Sequence, residues 1–277
     1  MKKILVAALI ACIGLSAFAF DGSPFLKPAK GVKSYTETVY SVTTKFGEYF
    51  RTPASKFQHV FNAEGTEVES IEYTATNSVI DKISYEYDAK GNLTCQTCYD
   101  SDNQLLWKIV STFNENGKKA DDSEYSKNNK LFGKTIYKYT GSDVTDESYY
   151  NGEGALIWKN IYKYDDKGQC LESCSYFAEG SLDVRKVFRY NSFGNVTEII
   201  SYNASDLVTG REVYRYAEDN KLAEYATYGS NNQILTRKFY KYDEDGNIAK
   251  TTTYNISKKF GAISNDIVRM SDYVYEK

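Results

Sequence analysis

The chain has 277 residues, with 37 acidic against 34 basic side chains and a formal net charge of −3. That balance excludes the basic excess a nucleic-acid partner demands, and a single histidine, His59, removes most catalytic triads and histidine metal sites. Tyrosine dominates at 26 residues, against 14 phenylalanines and three prolines, a composition that favours strands over helices.

At the amino end, Lys2 and Lys3 precede an apolar run from Ile4 to Leu15 and the small-residue site Ala17-Phe18-Ala19, which predicts a secretory signal peptide over residues 1–19. Leu9-Ile10-Ala11-Cys12 offers the alternative of a lipid anchor at Cys12. No later stretch reaches about 18 consecutive apolar residues, so the mature chain is expected to carry no transmembrane segment. It is predicted to be exported, to the periplasm, the outer surface or the extracellular space. Residues 20–55, with "SYTETVY" and "GEYFRTP", read as N-terminal cap strands outside the register of the later units.

From 56 to 254 the sequence repeats. Taking the aromatic before each turn as the anchor gives Phe61, Tyr87, Phe113, Tyr139, Tyr164, Tyr190, Tyr216 and Tyr242, spaced by 26 residues except for one step of 25. A second tyrosine column runs twelve residues after the anchor, from Tyr73 to Tyr254. An apolar column eighteen after it includes Val79, Leu105, Leu131 and Phe260. Each unit reads as two strands and two turns, and turns every 13 residues or so indicate an antiparallel meander. Stacking such hairpins buries an aromatic face that one hairpin cannot bury alone.

The first turn follows the pattern of "DAKGN", "DDKGQ" and "DEDGN", where Asp opens a type I turn and Gly takes the left-handed position. Asn220 replaces that glycine in the seventh unit, and "YTGSDV" departs from the pattern in the fourth, shorter unit. The recurring "YEYDAKGN", "YKYDDKG" and "YKYDEDGN" resemble the YD repeats of bacterial RHS-family proteins, although the unit is longer here and lacks their arginine-rich half. The resemblance implies a sheet coiled into a shell or spiral, with roles at cell surfaces or around exported cargo.

Two columns are candidates for binding. Two residues before the anchor stand Tyr85, Tyr137, Tyr162, Tyr214 and Tyr240, an aromatic ladder suited to stacking on sugars or filling a protein interface. Five before it every unit is basic: Lys56, Lys82, Lys108, Lys134, Lys159, Arg185, Arg211 and Arg237. Lys138, Lys163, Arg189, Arg215 and Lys241 add a second basic column one residue before the anchor. Parity sets both on the face opposite the Tyr-x-Tyr pair. An acidic column eight after the anchor, with Glu69, Asp121, Glu147, Glu172, Glu198 and Glu224, offers cross-strand partners instead.

Four cysteines survive export, Cys95, Cys98, Cys170 and Cys174, and strand geometry keeps the members of each pair too far apart for a disulfide. Neither a metal nor a cofactor is expected. The acids recur with the period, whereas a catalytic pair would be a local exception, so the chain is read as non-enzymatic; a polymer hydrolase using an acidic pair is the alternative. Residues 255–277, ending on Tyr273 and Tyr275, form a C-terminal cap. The expected fold is all-β: an antiparallel meander of about eight hairpins in one curled or superhelical sheet, with a closed β-barrel or propeller as the alternative. The expected role is a scaffold or interaction surface for protein or glycan.

Overall fold

A computed structural model of the chain describes residues 28–259 and 262–277. The predicted leader, the Cys12 anchor and Phe260 lie outside the described residues. Among those described, the chain forms eighteen strands. They are β1 (Ser34–Lys45), β2 (Glu48–Phe61), β3 (Glu67–Thr74), β4 (Val79–Tyr87), β5 (Leu93–Asp100) and β6 (Leu105–Phe113). Then come β7 (Lys119–Ser126), β8 (Leu131–Thr140), β9 (Asp143–Asn151), β10 (Leu156–Tyr164), β11 (Cys170–Phe177) and β12 (Leu182–Tyr190). The last six are β13 (Val196–Tyr202), β14 (Val208–Tyr216), β15 (Leu222–Gly229), β16 (Ile234–Tyr242), β17 (Ile248–Lys259) and β18 (Ala262–Glu276).

Each strand pairs antiparallel with its neighbour in sequence, and β1 pairs with β18 from Ser34↔Glu276 to Ser41↔Arg269. The sheet is therefore a closed barrel, which corrects the expectation of an open curled or superhelical sheet and agrees with its stated alternative. The reason lies in the ends. The segments read as caps supply β1, β2 and β18, and these are staves of the wall; β1 joins the last stave to the second. Closure leaves no sheet edge along the paired length, the one arrangement that fully removes edge exposure. Eighteen strands at about 4.8 Å give a perimeter of about 86 Å before tilt is counted.

Every hairpin repeats two devices. At the first turn Asp165 accepts through Oδ1 from the amides of Lys167 and Gln169 at 2.9 Å, and Gly168 takes φ 78°. Asp88 and Asn191 do the same in their units. At the second turn the left-handed residue is an Asn or Asp in five units, as at Asn103 and Asp206, side chains that tolerate this region better than most, and a glycine, Gly154 or Gly180, in two. The fourth unit closes through Gly141 and Ser142 alone, with Thr140 paired to Asp143, which accounts for its missing residue.

The two sides of the wall differ in burial. Tyr137, Phe188, Tyr214 and Tyr240 from the Tyr-x-Tyr side are 2–9% exposed. Side chains on the other parity, such as Ile80, Leu106 and Phe132, stand in solvent. In a closed sheet inward groups converge and outward ones splay apart, so the Tyr-x-Tyr face lines the interior. The anchor tyrosines lock neighbouring strands there. Tyr164, Tyr190, Tyr216 and Tyr242 each donate to the backbone carbonyl twenty residues back, those of Val144, Cys170, Val196 and Leu222, at 2.7–2.9 Å. The buried core is concentrated on this inner face, toward the end of the barrel that carries the D-x-x-G turns.

Candidate functional site

The outer wall carries the chemistry that the inner face lacks, namely exposed charge in regular rows. Seen from the D-x-x-G end, the first row holds Lys138, Lys163, Arg189, Arg215 and Lys241. The acidic row comes next, then the row of eight bases from Lys56 to Arg237. Antiparallel register places each tyrosine of the second column beside a base, as in Tyr73↔Lys56, Tyr99↔Lys82 and Tyr228↔Arg211. The Arg185 and Arg211 guanidinium groups lie over the Tyr202 and Tyr228 rings at 4.2 and 4.4 Å.

The acids pair with the bases thirteen residues on. Glu69 meets Lys82, Asp121 meets Lys134, Glu172 meets Arg185, Glu198 meets Arg211 and Glu224 meets Arg237. In the fourth unit the acid is Asp146, which pairs with Lys159 at 2.6 Å. Glu147, counted in this column from the sequence, is displaced by the deleted residue to the inner wall. There it accepts from the Tyr162 hydroxyl at 2.7 Å and the Asn160 amide at 3.2 Å. Lys108 has Cys95 where its acid would stand, and Lys56 donates to Asn77.

From β10 to β16 the balance changes. Glu172 holds both Lys163 and Arg185, Glu198 both Arg189 and Arg211, and Glu224 both Arg215 and Arg237, at 2.6–3.3 Å. Three successive hairpins thus set two bases against each strand acid, and Arg185 reaches a second acid, Asp206, in the neighbouring turn. The outermost base in each, Lys163, Arg189 or Arg215, is 55–69% exposed. The Lys163 ammonium and the Arg185 guanidinium hold the Glu172 carboxyl below its ordinary range. Glu224 is pushed up by burial, yet Arg237 and Arg215 outweigh that and hold it low.

The aromatic ladder lies elsewhere. Tyr85, Tyr137, Tyr162, Tyr214 and Tyr240 all face the interior. The hydroxyls of Tyr137, Tyr162 and Tyr214 donate to the carboxylates of Asp122, Glu147 and Glu212 at 2.7–2.9 Å, and Tyr85 meets Ser70 at 2.9 Å. Parity turns these rings inward, and closure of the sheet buries them, so the ladder offers no stacking surface on the outer wall. A partner on the outside meets the other tyrosine column, Tyr73 to Tyr254. Of the second binding column, Lys82, Lys108, Lys134, Lys159, Arg185, Arg211 and Arg237 all face outward.

Inside, Glu124 and Glu147 are lifted above their ordinary range by burial, and Tyr149 donates to Glu124 while stacking on Trp158 at 5.5 Å. His59 stacks on Tyr35 at 4.6 Å and bonds Glu67 at 2.5 Å through Nδ1. The four cysteines are free; Cys98 and Cys170 are buried, which pushes each thiol up to about 12. No group of three or more His, Cys, Asp or Glu side chains able to hold a metal ion occurs among the described residues, and no helix there is long and apolar enough to cross a membrane.

One outward row was missed from the sequence. Seven residues before the anchor stand Ile80, Leu106, Phe132, Ile157 and Leu235, all exposed. The signal was present in the strand starts "VI", "LL", "LF", "LI" and "IL", where two adjacent apolar residues make both faces apolar.

No family description and no curated protein sequence matches the chain. Among solved structures, a porin-like protein from Bacteroides uniformis aligns over 90% of this chain and 99% of its own, at 8% identity and a TM-score of 0.49. A second porin-like protein, from Bacteroides vulgatus, aligns over 77% of this chain and 98% of its own, at 12% identity and a TM-score of 0.42. The TcdB2-TccC3 structure aligns over 83% of this chain but only 16% of its own, at 12% identity and a TM-score of 0.29. With TM-scores below 0.5, none of these likenesses carries weight for function. The likeness to YD repeats rests on the turn motif alone.

Proposed function

We propose that the protein is an exported, non-enzymatic scaffold of the cell envelope, and that the β10–β16 wall binds an acidic glycan. One observation carries this reading: over three hairpins each strand acid holds two bases at equal heights, and only at Arg185 does a further acid, Asp206 in the neighbouring turn, share a base. Each exposed pair adds only about 0.2–1 kcal/mol to stability, so the second base is in excess of what holds the strands together. Guanidinium groups backed by tyrosine rings suit carboxylate or sulfate groups spaced along a polymer. The same rows argue against a membrane-spanning barrel, because Lys or Arg facing lipid at mid-depth is unfavourable by about 2–4 kcal/mol each.

A second reading has one observation behind it. Deletion of a residue in the fourth unit brings Glu147 inside, where Asp122 is close enough to raise its carboxyl further, and this is the local exception that a hydrolase would need. Against it, Asp122 is 7% exposed and bonded to Ser111 and Tyr137. A glycan array and a turnover assay on the same polymers separate the two. The scaffold reading expects Arg189→Ser and Arg215→Ser each to weaken glycan binding a few-fold, and the pair to compound. Binding indifferent to both would overturn it. So would turnover that disappears on Glu147→Gln.

A further inference from the structure

The exposed apolar side chains are not spread over the barrel. Apart from Ile136, Leu171, Phe193 and Val274, every large exposed one stands at the end opposite the D-x-x-G turns. Outward residues Ile80, Leu106, Phe132, Ile157, Leu235 and Val268 form a row at one height. Where Asp183 and Thr209 interrupt it, Phe177 and Leu207 are exposed in the adjoining turns. The β1–β2 hairpin rises above this rim. From Glu48 to Ala54 strand β2 pairs only with β1, and the tip exposes Phe46, Tyr49 and Phe50.

Below the rim the order of side chains is fixed. Tyrosines of the second column come first, the eight bases lie about two residues or roughly 7 Å from the apolar row, and the acids lie farther away still. From these positions we infer that this rim seats on the surface of an anionic phospholipid bilayer, apolar row in the acyl boundary and bases at the phosphates. Three features select a membrane over a protein patch. The row stands on six strands spread round the circumference, and exposed apolar side chains at the neighbouring turns or the β1–β2 tip lie beside its three gaps at Ala54, Asp183 and Thr209, as contact with a plane requires. The depth from apolar row to bases matches the roughly 5–10 Å over which interfacial segments insert. Tyrosine alternating with Lys or Arg is the side-chain chemistry of a membrane interface, where aromatic rings settle at headgroup level and cations reach phosphate. Of the eight bases nearest the rim, six pair with acids, while Lys56 bonds an amide and Lys108 faces Cys95 in place of an acid.

This goes beyond the glycan reading and uses other residues, so either can fail alone. The test is co-sedimentation of the purified protein with phosphatidylglycerol/phosphatidylethanolamine vesicles and with phosphatidylcholine vesicles. The wild-type chain is compared with the triple variant Leu106→Ser, Phe132→Ser, Ile157→Ser; both carry the same amino-terminal segment, so any difference belongs to the rim. The expected result is binding to anionic vesicles that falls roughly tenfold or more in the variant and weakens with salt. Should the triple variant fail to fold, Phe46→Ser with Phe50→Ser at the hairpin tip gives the same readout. Equal sedimentation of wild type and variant overturns the inference, as does no sedimentation of either. A lipid-free, end-to-end dimer that the variant dissolves also overturns it, by assigning the rim to a second copy.

Discussion

Two arcs of the barrel are built from one repeat and filled with opposite materials. The inner face of β12–β17 is an apolar cluster that includes Phe188, Ile199, Tyr214, Leu222, Tyr240 and Ile248. The inner face of β5–β8 buries Gln96, Ser111, Asp122, Glu124 and Thr135 to below 9% exposure. Backbone ladders, turn types and hairpin lengths hardly change between them apart from the shortened β8–β9 turn. The repeat therefore specifies the barrel through its turns and its tyrosine-to-carbonyl bonds, and the interior is free to be polar wherever each buried group finds a partner. Asp122 shows how: it accepts from the Ser111 and Tyr137 hydroxyls at 2.5 and 2.7 Å and holds Lys119 at 3.1 Å.

The widest separation between the arcs is expected in core truncation. Tyr214→Ala removes a ring that is 2% exposed and should lower unfolding free energy by about 3–5 kcal/mol. Tyr137→Phe keeps the ring and takes one donor from Asp122, for a loss of about 1–3 kcal/mol. Urea titrations of both variants measure the gap. If Tyr214→Ala proved the milder change, the apolar cluster would not be what holds its arc.

Acidity should add a related contrast, giving the buried inner acids of β7 and β9 and the ion-paired outer acids of β11 and β15 opposite slopes. Burial raises the Glu124 and Glu147 carboxyls above their ordinary value of 4.5, so the folded state holds their protons more tightly than the unfolded chain. Their contribution to stability is greatest at low pH and falls as pH rises from about 4.5 through the raised value. Glu172 and Glu224 are lowered by their basic partners. Their contribution is present above 4.5 and is lost as pH falls through the lowered value. The double variant Glu124→Gln, Glu147→Gln should flatten the fall on the alkaline side, and Glu224→Gln should remove part of the drop on the acid side. Denaturation curves at half-unit pH steps read both limbs; matching slopes in all three proteins would count against the assignment.

Much of this was legible in the sequence because a column of equal residues needs only counting. The anchors, the turn chemistry, the outward bases and the odd turn of the fourth unit all follow from spacing. Closure was not legible, because it depends on β1 meeting β18 across 242 positions, as in the bond from Ser34 to Glu276, and no periodic signal encodes contact between two segments outside the period. That the Tyr-x-Tyr ladder lines an interior was not legible for the same reason: parity gives the face, whereas only closure says which face is inside. Glu147 was misplaced because the count ran through the deletion that moves it.

The smallest expected effect tests whether the turns carry both arcs, as the comparison requires. Asn220 occupies the place that glycine fills in most other units and adopts φ 64°. Its side chain also accepts from the Asn195 amide at 2.7 Å, an exposed bond between adjacent turns. Asn220→Ala places a β-carbon in the left-handed region without the local hydrogen bonding that eases Asn there, and should destabilise by about 1 kcal/mol. Asn220→Gly loses the same side-chain bond but relaxes the backbone, so it should stay near wild type. Thermal melts of the two variants separate the causes: an alanine variant as stable as the glycine one would show that turn geometry contributes little. A glycine variant as weak as alanine would transfer the effect to the bond with Asn195, and the repeat would then be held by contacts between turns and not by the conformation of each.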